Sequence, residues 1–188
     1  MPVGEDQAPL IEQTNELVRR LNRQVGRDLL PEARALIPPI GRLPGVDGKV
    51  KMSKSQGNAV PLSATPDEIS DAVRRMFTDP NHLRASDPGR VEGNVVFTYL
   101  DAFDEDSAAV ADLKDRYRRG GLGDSVVKKR LNGVLQAVLE PIRSRRRALA
   151  GDRGYVLGVV KEGTIKAQEI TEATLREVRA ALGLFAFD

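Results

Sequence analysis

Apolar residues recur at helical spacing from Pro9 to Arg23, where Leu10, Ile11, Leu17, Val18 and Leu21 share one face, and this spacing predicts an amphipathic helix. The segment before it, Val3-Gly4-Glu5-Asp6-Gln7, reads as a polar turn at that helix's N-terminus, where backbone N–H groups favour an anion. A short apolar stretch around Leu36 and Ile37 fits a single strand. Between Pro38 and Pro61 the chain has four prolines and four glycines, so no regular element is expected to run through it.

From residue 65 onward the pattern is helical. Thr65-Pro66-Asp67-Glu68 has the form of a capping box with Pro at the first helical position, followed by a predicted buried stripe of Ile69, Val73, Met76 and Phe77. Val91 to Phe103 reads as packing at a domain junction, with Tyr99 and Tyr117 as core edges. A helix from about Ser107 should end at Gly120-Gly121, and another should begin after Asp124 with Val127, Leu131, Val134, Leu135, Val138 and Ile142 inward. Pro141 is expected to kink or end that helix. After Gly151 to Gly154 the pattern resumes through Val156, Val159, Val160, Ile165, Ile170, Val178 and Leu182. The expected sum is a bundle of four or five helices.

Composition narrows the chemistry. The 188 residues are 40% apolar, enough for one substantial core, with 4% aromatics and no Trp, so that core is mainly aliphatic. Without Cys there are no disulfides, thiolate metal sites or cysteine nucleophiles. His82 is the only histidine, which removes multi-histidine metal sites and, with no catalytic-carboxylate or metal-ligand spacing around it, reads as a loop or cap residue. No apolar run approaches a membrane span and the N-terminus has no signal character, so a soluble cytoplasmic protein is expected. Net charge is only +2, yet Lys114 to Arg153 holds twelve Lys/Arg against four Asp/Glu. That local excess can attract a polyanion, or merely solvate a helix surface.

The candidate chemistry lies in Lys51-Met52-Ser53-Lys54-Ser55, set between Gly45 and Gly48 on one side and Gly57 on the other. Glycines admit close approach of an oxyanion, serine hydroxyls donate, and two ammonium groups can follow a polyphosphate as its charge moves. These residues alone point to a nucleotide or nucleic-acid backbone. Asp6 and Gln7 could equally cap the first helix.

The lysine loop and five further segments, in order, resemble a known family. Lys51 to Ser55 matches the second signature of class I aminoacyl-tRNA synthetases. Pro2-Val3-Gly4-Glu5-Asp6-Gln7, Leu43-Pro44-Gly45-Val46-Asp47-Gly48, Thr78-Asp79-Pro80, Glu92 to Tyr99 and Gly120-Gly121-Leu122-Gly123 before a basic helix look like the bacterial tryptophanyl branch. The resemblance implies activation of tryptophan by ATP with Mg²⁺, then transfer to tRNA. It implies that Lys51 and Lys54 stabilise the departing pyrophosphate, that Gly4, Glu5, Asp6 and Gln7 line the nucleotide with Asp6 toward the ribose, and that Leu43 and Met52 lie along the adenine, with Ser53 and Ser55 completing the ATP site. The implied fold is mostly α, with a partial Rossmann-like α/β remnant in 1–62 and a helical tRNA (anticodon)-binding bundle in 63–188. Lys128, Lys129, Arg130, Arg143, Arg145, Arg146 and Arg147 are its candidate tRNA contacts; no metal-ligating residues are assigned.

The departures are equally specific. A chain with one histidine has no His-x-Gly-His segment, and the tryptophan pocket of the family would lie upstream of position 1. The expectation is therefore the C-terminal portion of a tryptophan–tRNA ligase, inactive alone and completed by an N-terminal half. The implied homodimer would have much of its contact in that half. A non-catalytic tRNA-binding module derived from such an enzyme is the alternative, as is a tyrosyl-type relative, against which the segments at 44–48 and 92–99 argue.

Overall fold

The computed structural model describes residues 1–48, 52–53 and 55–185. Among the described residues, six α-helices follow a 3₁₀ turn at Glu5–Gln7: α1 Ala8–Val25, α2 Pro66–Arg75, α3 Val95–Phe103, α4 Ser107–Arg119, α5 Asp124–Ala150 and α6 Arg153–Ala181. The chain forms two compact units, one of Arg42–Ala148 and one of Met1–Gly41 with Leu149–Asp188. The sequence reading divided the chain at 62/63 instead. Residues 42–62 join the helices that follow because Val46 is buried in their core, the Phe77 amide donates to Val46 O at 2.8 Å, and Tyr99 Oη donates to Pro44 O at 2.9 Å.

The core of the 42–148 unit is aliphatic, as composition required, and is built from Ile69, Val73, Met76, Val95, Val96, Leu100, Leu131 and Leu135 around three aromatic rings. Each fully buried large aliphatic side chain stabilises the fold by about 1.5–3 kcal/mol. The segment read as junction packing is the most buried helix of the unit: α3 buries Val95, Val96, Phe97, Tyr99 and Leu100. It is apolar nearly all round, so it carries no amphipathic stripe for a periodicity search to find. Tyr99 and Tyr117 are core residues rather than core edges, at 2% and 0% exposure. Burial pushes the Tyr99 hydroxyl up to about 12.

The start of α2 forms as the sequence predicts, with both halves of the capping box present: Thr65 N donates to Glu68 Oε2 at 2.7 Å and Glu68 N to Thr65 Oγ1 at 3.2 Å. Phe77 departs from the prediction. The helix stops at Arg75 and the chain turns extended at Met76, which leaves Phe77 partly exposed over Gly48.

Helix α5 runs through Pro141. Its alignment is set by a polar ladder onto α2: Lys128 Nζ donates to Arg74 O (2.8 Å), Ser70 Oγ donates to Asn132 Oδ1 (3.2 Å), and Gln136 Nε2 donates to Pro66 O (2.8 Å). Four-residue steps upward on α5 match four-residue steps downward on α2, so the two helices are antiparallel with one repeated contact. Beyond the proline, Arg143 Nη1 donates to Ala64 O at 3.0 Å, while Nε and Nη2 hold Glu140 Oε2 at 3.0 and 2.6 Å. Anchors on both sides of Pro141 offset its missing N–H. Val138 and Ile142, expected inward, are partly exposed.

At its N-terminus α5 is tied down by Asp124. Its carboxylate accepts from Tyr117 Oη (2.7 Å) and Thr78 Oγ1 (2.9 Å), and His82 Nδ1 lies 3.2 Å away. His82 is in a loop, as read, but its ring is buried against Tyr117 with a carboxylate partner 42 positions away. Sequence distance hid that pairing.

In the other unit α1 forms as predicted and ends at Gly26, which has φ 70°. Val18 is buried, but Leu10 and Leu17 are 55% and 63% exposed. The inward face is polar: Asn15 exchanges two hydrogen bonds with the Ala33 backbone (2.8 and 2.9 Å), and Asn22 accepts from Leu29 and Leu30 amides while donating to Leu30 O. The expected strand at Leu36 is, among the described residues, one parallel bridge between Pro2 and Leu36. Helix α6 buries no residue; Val156, Val159, Val160, Ile165 and Ile170, expected inward, are 41–69% exposed.

The ladder separates structural from solvated cations, and stability should follow that division. Arg143→Met is expected to lower unfolding stability by about 2 kcal/mol, the loss of charge-assisted hydrogen bonds from a buried group. Arg145→Ala and Arg146→Ala should stay within about 0.5 kcal/mol of the parent in urea titration. Acid sensitivity has a definite sign. Backbone N–H donors at Asn81 and Arg90 hold Asp79 below its usual range, Arg130 does the same for Asp104, the Thr65 amide for Glu68, and Arg143 for Glu140. Each folded value lies below the unfolded one, so the stabilisation is complete above the ordinary carboxylate range and is lost as pH falls through the folded values. Thermal midpoints should therefore be flat near neutrality and drop below about pH 4.

Candidate functional site

The segment that carries the two lysines begins and ends on one buried asparagine. Asn58, 4% exposed, accepts from the Ser53 amide on Oδ1 at 2.7 Å, donates from Nδ2 to Asp47 Oδ1 at 3.3 Å, and takes the Val46 amide on its backbone oxygen at 2.9 Å. Gly45 is required beside it, since a Cβ there would stand 2.2 Å from Asn58 Nδ2. Asn58 thus closes the base of the segment with hydrogen bonds that a sheet would otherwise supply. Sequence reasoning passed over it; an Asn directly after Gly57 was the available signal.

Above that staple, Ser53 Oγ and Ser55 Oγ are 2.9 Å apart, so two hydroxyls converge on one point. Leu43 and Met52 pack partly buried against the core of the same unit. Lys51 and Lys54 lie outside the described residues. A groove of about 760 Å³ runs from Met52 and Ser53 past Val60 and Leu62 to Ile142 and Arg146 on α5.

The Gly4–Gln7 turn belongs to the other unit. Gly4 caps the 3₁₀ turn, Gln7 N donates to Gly4 O at 3.0 Å, and Glu5 N donates to Gly41 O at 3.2 Å. A Cβ on Gly4 would lie 2.9 Å from Asp6 Oδ1 and 3.2 Å from Gly41 O, a tight fit that glycine avoids. Gln7, the N-cap residue of the helix that follows, makes no side-chain cap hydrogen bond. Glu5, Asp6 and Gln7 are exposed.

The seven basic residues singled out on α5 fall into two groups. Arg143 is buried and Lys128 is a ladder rung, its ammonium pKa lowered by burial. Arg130 forks onto Asp104 (2.6 and 3.1 Å) and Arg147 reaches Glu140 at 2.8 Å. Lys129, Arg145 and Arg146 are exposed, with no ion pair among the described residues. The cationic surface of α5 is therefore narrower than the sequence count suggests.

Comparison with known proteins bears on this arrangement. The family model described as tRNA synthetases class I (W and Y) matches residues 1–140. The tryptophan–tRNA ligase of Clostridium longisporum is 53% identical over 190 residues, which are 100% of this chain and 56% of that protein. That of Streptococcus pneumoniae serotype 4 is 46% identical over 193 residues, 100% of this chain and 57% of the relative. The chain thus spans a little over half the length of these relatives. Among solved structures, tryptophanyl-tRNA synthetase from Campylobacter jejuni, complexed with ADP and tryptophan, superposes with a TM-score of 0.69 at 26% identity over 97% of this chain and 56% of that one. The Giardia lamblia tryptophanyl-tRNA synthetase gives 0.63 at 28% identity over 78% of this chain and 35% of that one. An ordered series of motifs, a glycine-dependent acidic turn, a serine-bearing segment closed by Asn58 and a family match over most of the chain lead to one conclusion: the chain belongs to the class I tRNA synthetases of the tryptophan and tyrosine group.

Proposed function

We propose that these 188 residues are the C-terminal portion of a tryptophan–tRNA ligase, providing its phosphate loop and RNA-binding helices. The observation that carries this is the Asn58-closed segment with its converging hydroxyls, in a chain 46–53% identical to tryptophan ligases. That identity also favours tryptophan over tyrosine as the amino acid.

In the reaction, the carboxylate oxygen of tryptophan bonds to the α-phosphorus of ATP and the bond from that phosphorus to the bridging oxygen breaks, releasing pyrophosphate. A terminal hydroxyl of tRNA then attacks the aminoacyl carbonyl, and AMP leaves. Ser53 and Ser55 would donate to phosphate oxygens, and Lys51 and Lys54 would stabilise charge gathering on the departing pyrophosphate, an effect confined to the transition state. Asp6 would accept from the ribose hydroxyls, with Gly4, Glu5 and Gln7 shaping the turn, and the backbone at Leu43 and Met52 would flank adenine. Mg²⁺ would enter on the phosphates, where it neutralises charge; the described residues hold no group of three or more His, Cys, Asp or Glu suited to a metal. Lys129, Arg145 and Arg146 would meet the tRNA backbone.

The partner that completes such a site would be the remaining N-terminal half. The parallel pairing of Pro2 with Leu36 is the remnant of a Rossmann-like sheet in this reading, and the apolar concavity of Val3, Leu36, Ile37 and Pro38 beside it, with exposed Leu10 and Leu17, is where further strands and helices would pack. Dimerisation would follow from that half. No described helix is long and apolar enough to cross a membrane, and the cytoplasm is the compartment that fits this reaction.

Tryptophan-dependent ATP–pyrophosphate exchange tests the proposal. The 188-residue polypeptide alone should show none; mixed with the part of a curated relative that it does not span, exchange should appear. Lys51→Ala or Lys54→Ala should then lower the rate on the order of 10²-fold. Exchange by the unmixed polypeptide would overturn the divided site.

A further inference from the structure

The second half of α1 and its exit carry four arginines in nine residues, Arg19, Arg20, Arg23 and Arg27, with no acidic residue among them. Arg19 is occupied by Glu12 and lies 3.9 Å from Glu32. Arg20, Arg23 and Arg27 are exposed and form no ion pair among the described residues. The turn at Gly26 brings Arg27 round so that it lines, with Arg19 and Arg23, a concave surface of about 480 Å³. Asn22 in the same concavity is committed to the Leu29 and Leu30 backbone, which leaves guanidinium groups as its free donors. The acidic members, Asp28 and Glu32, lie on the segment leaving the helix, and Glu32 is the one facing Arg19.

The helix dipole does not account for this run. It favours cations in the last turn, which here contains Arg23 alone; Arg20 stands a turn earlier and Arg27 past the cap. Guanidinium forks match phosphate oxygens two at a time, and forks about one helical turn apart can engage successive phosphates without reading bases. We infer that the Arg20, Arg23 and Arg27 surface of α1 is a second, sequence-independent contact for the phosphate backbone of a structured RNA, additional to α5. This rests on the reading that the chain binds tRNA.

The test is the salt dependence of binding by the full chain to a tryptophan-accepting tRNA transcript. Replacing Arg20, Arg23 and Arg27 by Gln, a good helix former, should weaken binding on the order of tenfold or more and reduce the slope of log affinity against log salt by about 2–3. The triple Lys variant should keep the slope, because the charge is retained. A parallel Gln variant at Lys129, Arg145 and Arg146 separates the two claims. If it weakens binding while the α1 variant, with an unchanged melt, binds as the parent does, the α1 surface is refuted and the tRNA reading stands. If the parent chain shows no salt-dependent binding, both fall. If only an acidic protein or a generic polyanion competes and tRNA does not, the RNA assignment is overturned.

Discussion

The contact on which the 42–148 unit depends is the register between α5 and α2. Three rungs at four-residue intervals tie Lys128, Asn132 and Gln136 to the backbone or hydroxyls of α2, and Arg143 extends the series to Ala64. Apolar packing alone would hold these helices together but would leave their sliding poorly defined, since ridges of aliphatic side chains repeat every turn. Directional hydrogen bonds remove that freedom. They also consume cations, because a lysine whose ammonium caps a carbonyl is no longer a mobile charge for a ligand.

Asparagine has a comparable role wherever the chain lacks a sheet. Asn15 and Asn22 clamp the segment that returns past α1, Asn58 closes the base of the lysine segment, and Asn94 caps α3 through the Val96 amide at 3.0 Å. One amide side chain offers both a donor and an acceptor, so it substitutes for a strand neighbour at a single point. A proline- and glycine-rich stretch of twenty residues could otherwise not bury Val46 without stranding its backbone groups. The functional consequence is a fixed base beneath a segment whose serines converge.

The two units differ in how completely they are covered. The helical unit has a closed core, whereas Leu10, Leu17, Leu36 and Ile37 and most apolar residues of α6 are exposed. Those surfaces are apolar area that the hydrophobic effect favours covering.

Local information was enough for most of the helices. Period 3.6 located α1, α4 and α5, the Thr65 to Glu68 box located α2, and glycines, serines and lysines at 45–57 marked the segment for which a phosphate role is proposed, because each of these signals is confined to a few consecutive residues. Helix α3 was missed because a helix buried all round has no period. The pairing of His82 with Asp124, the ladder that removes Lys128 and Arg143 from the cationic surface, and Asn58 beneath the loop are contacts between residues distant in sequence or chosen by backbone geometry. Only the folded chain could decide them, since whether a charge is a ligand contact or a structural rung depends on which carbonyl or carboxylate the fold brings within 3 Å.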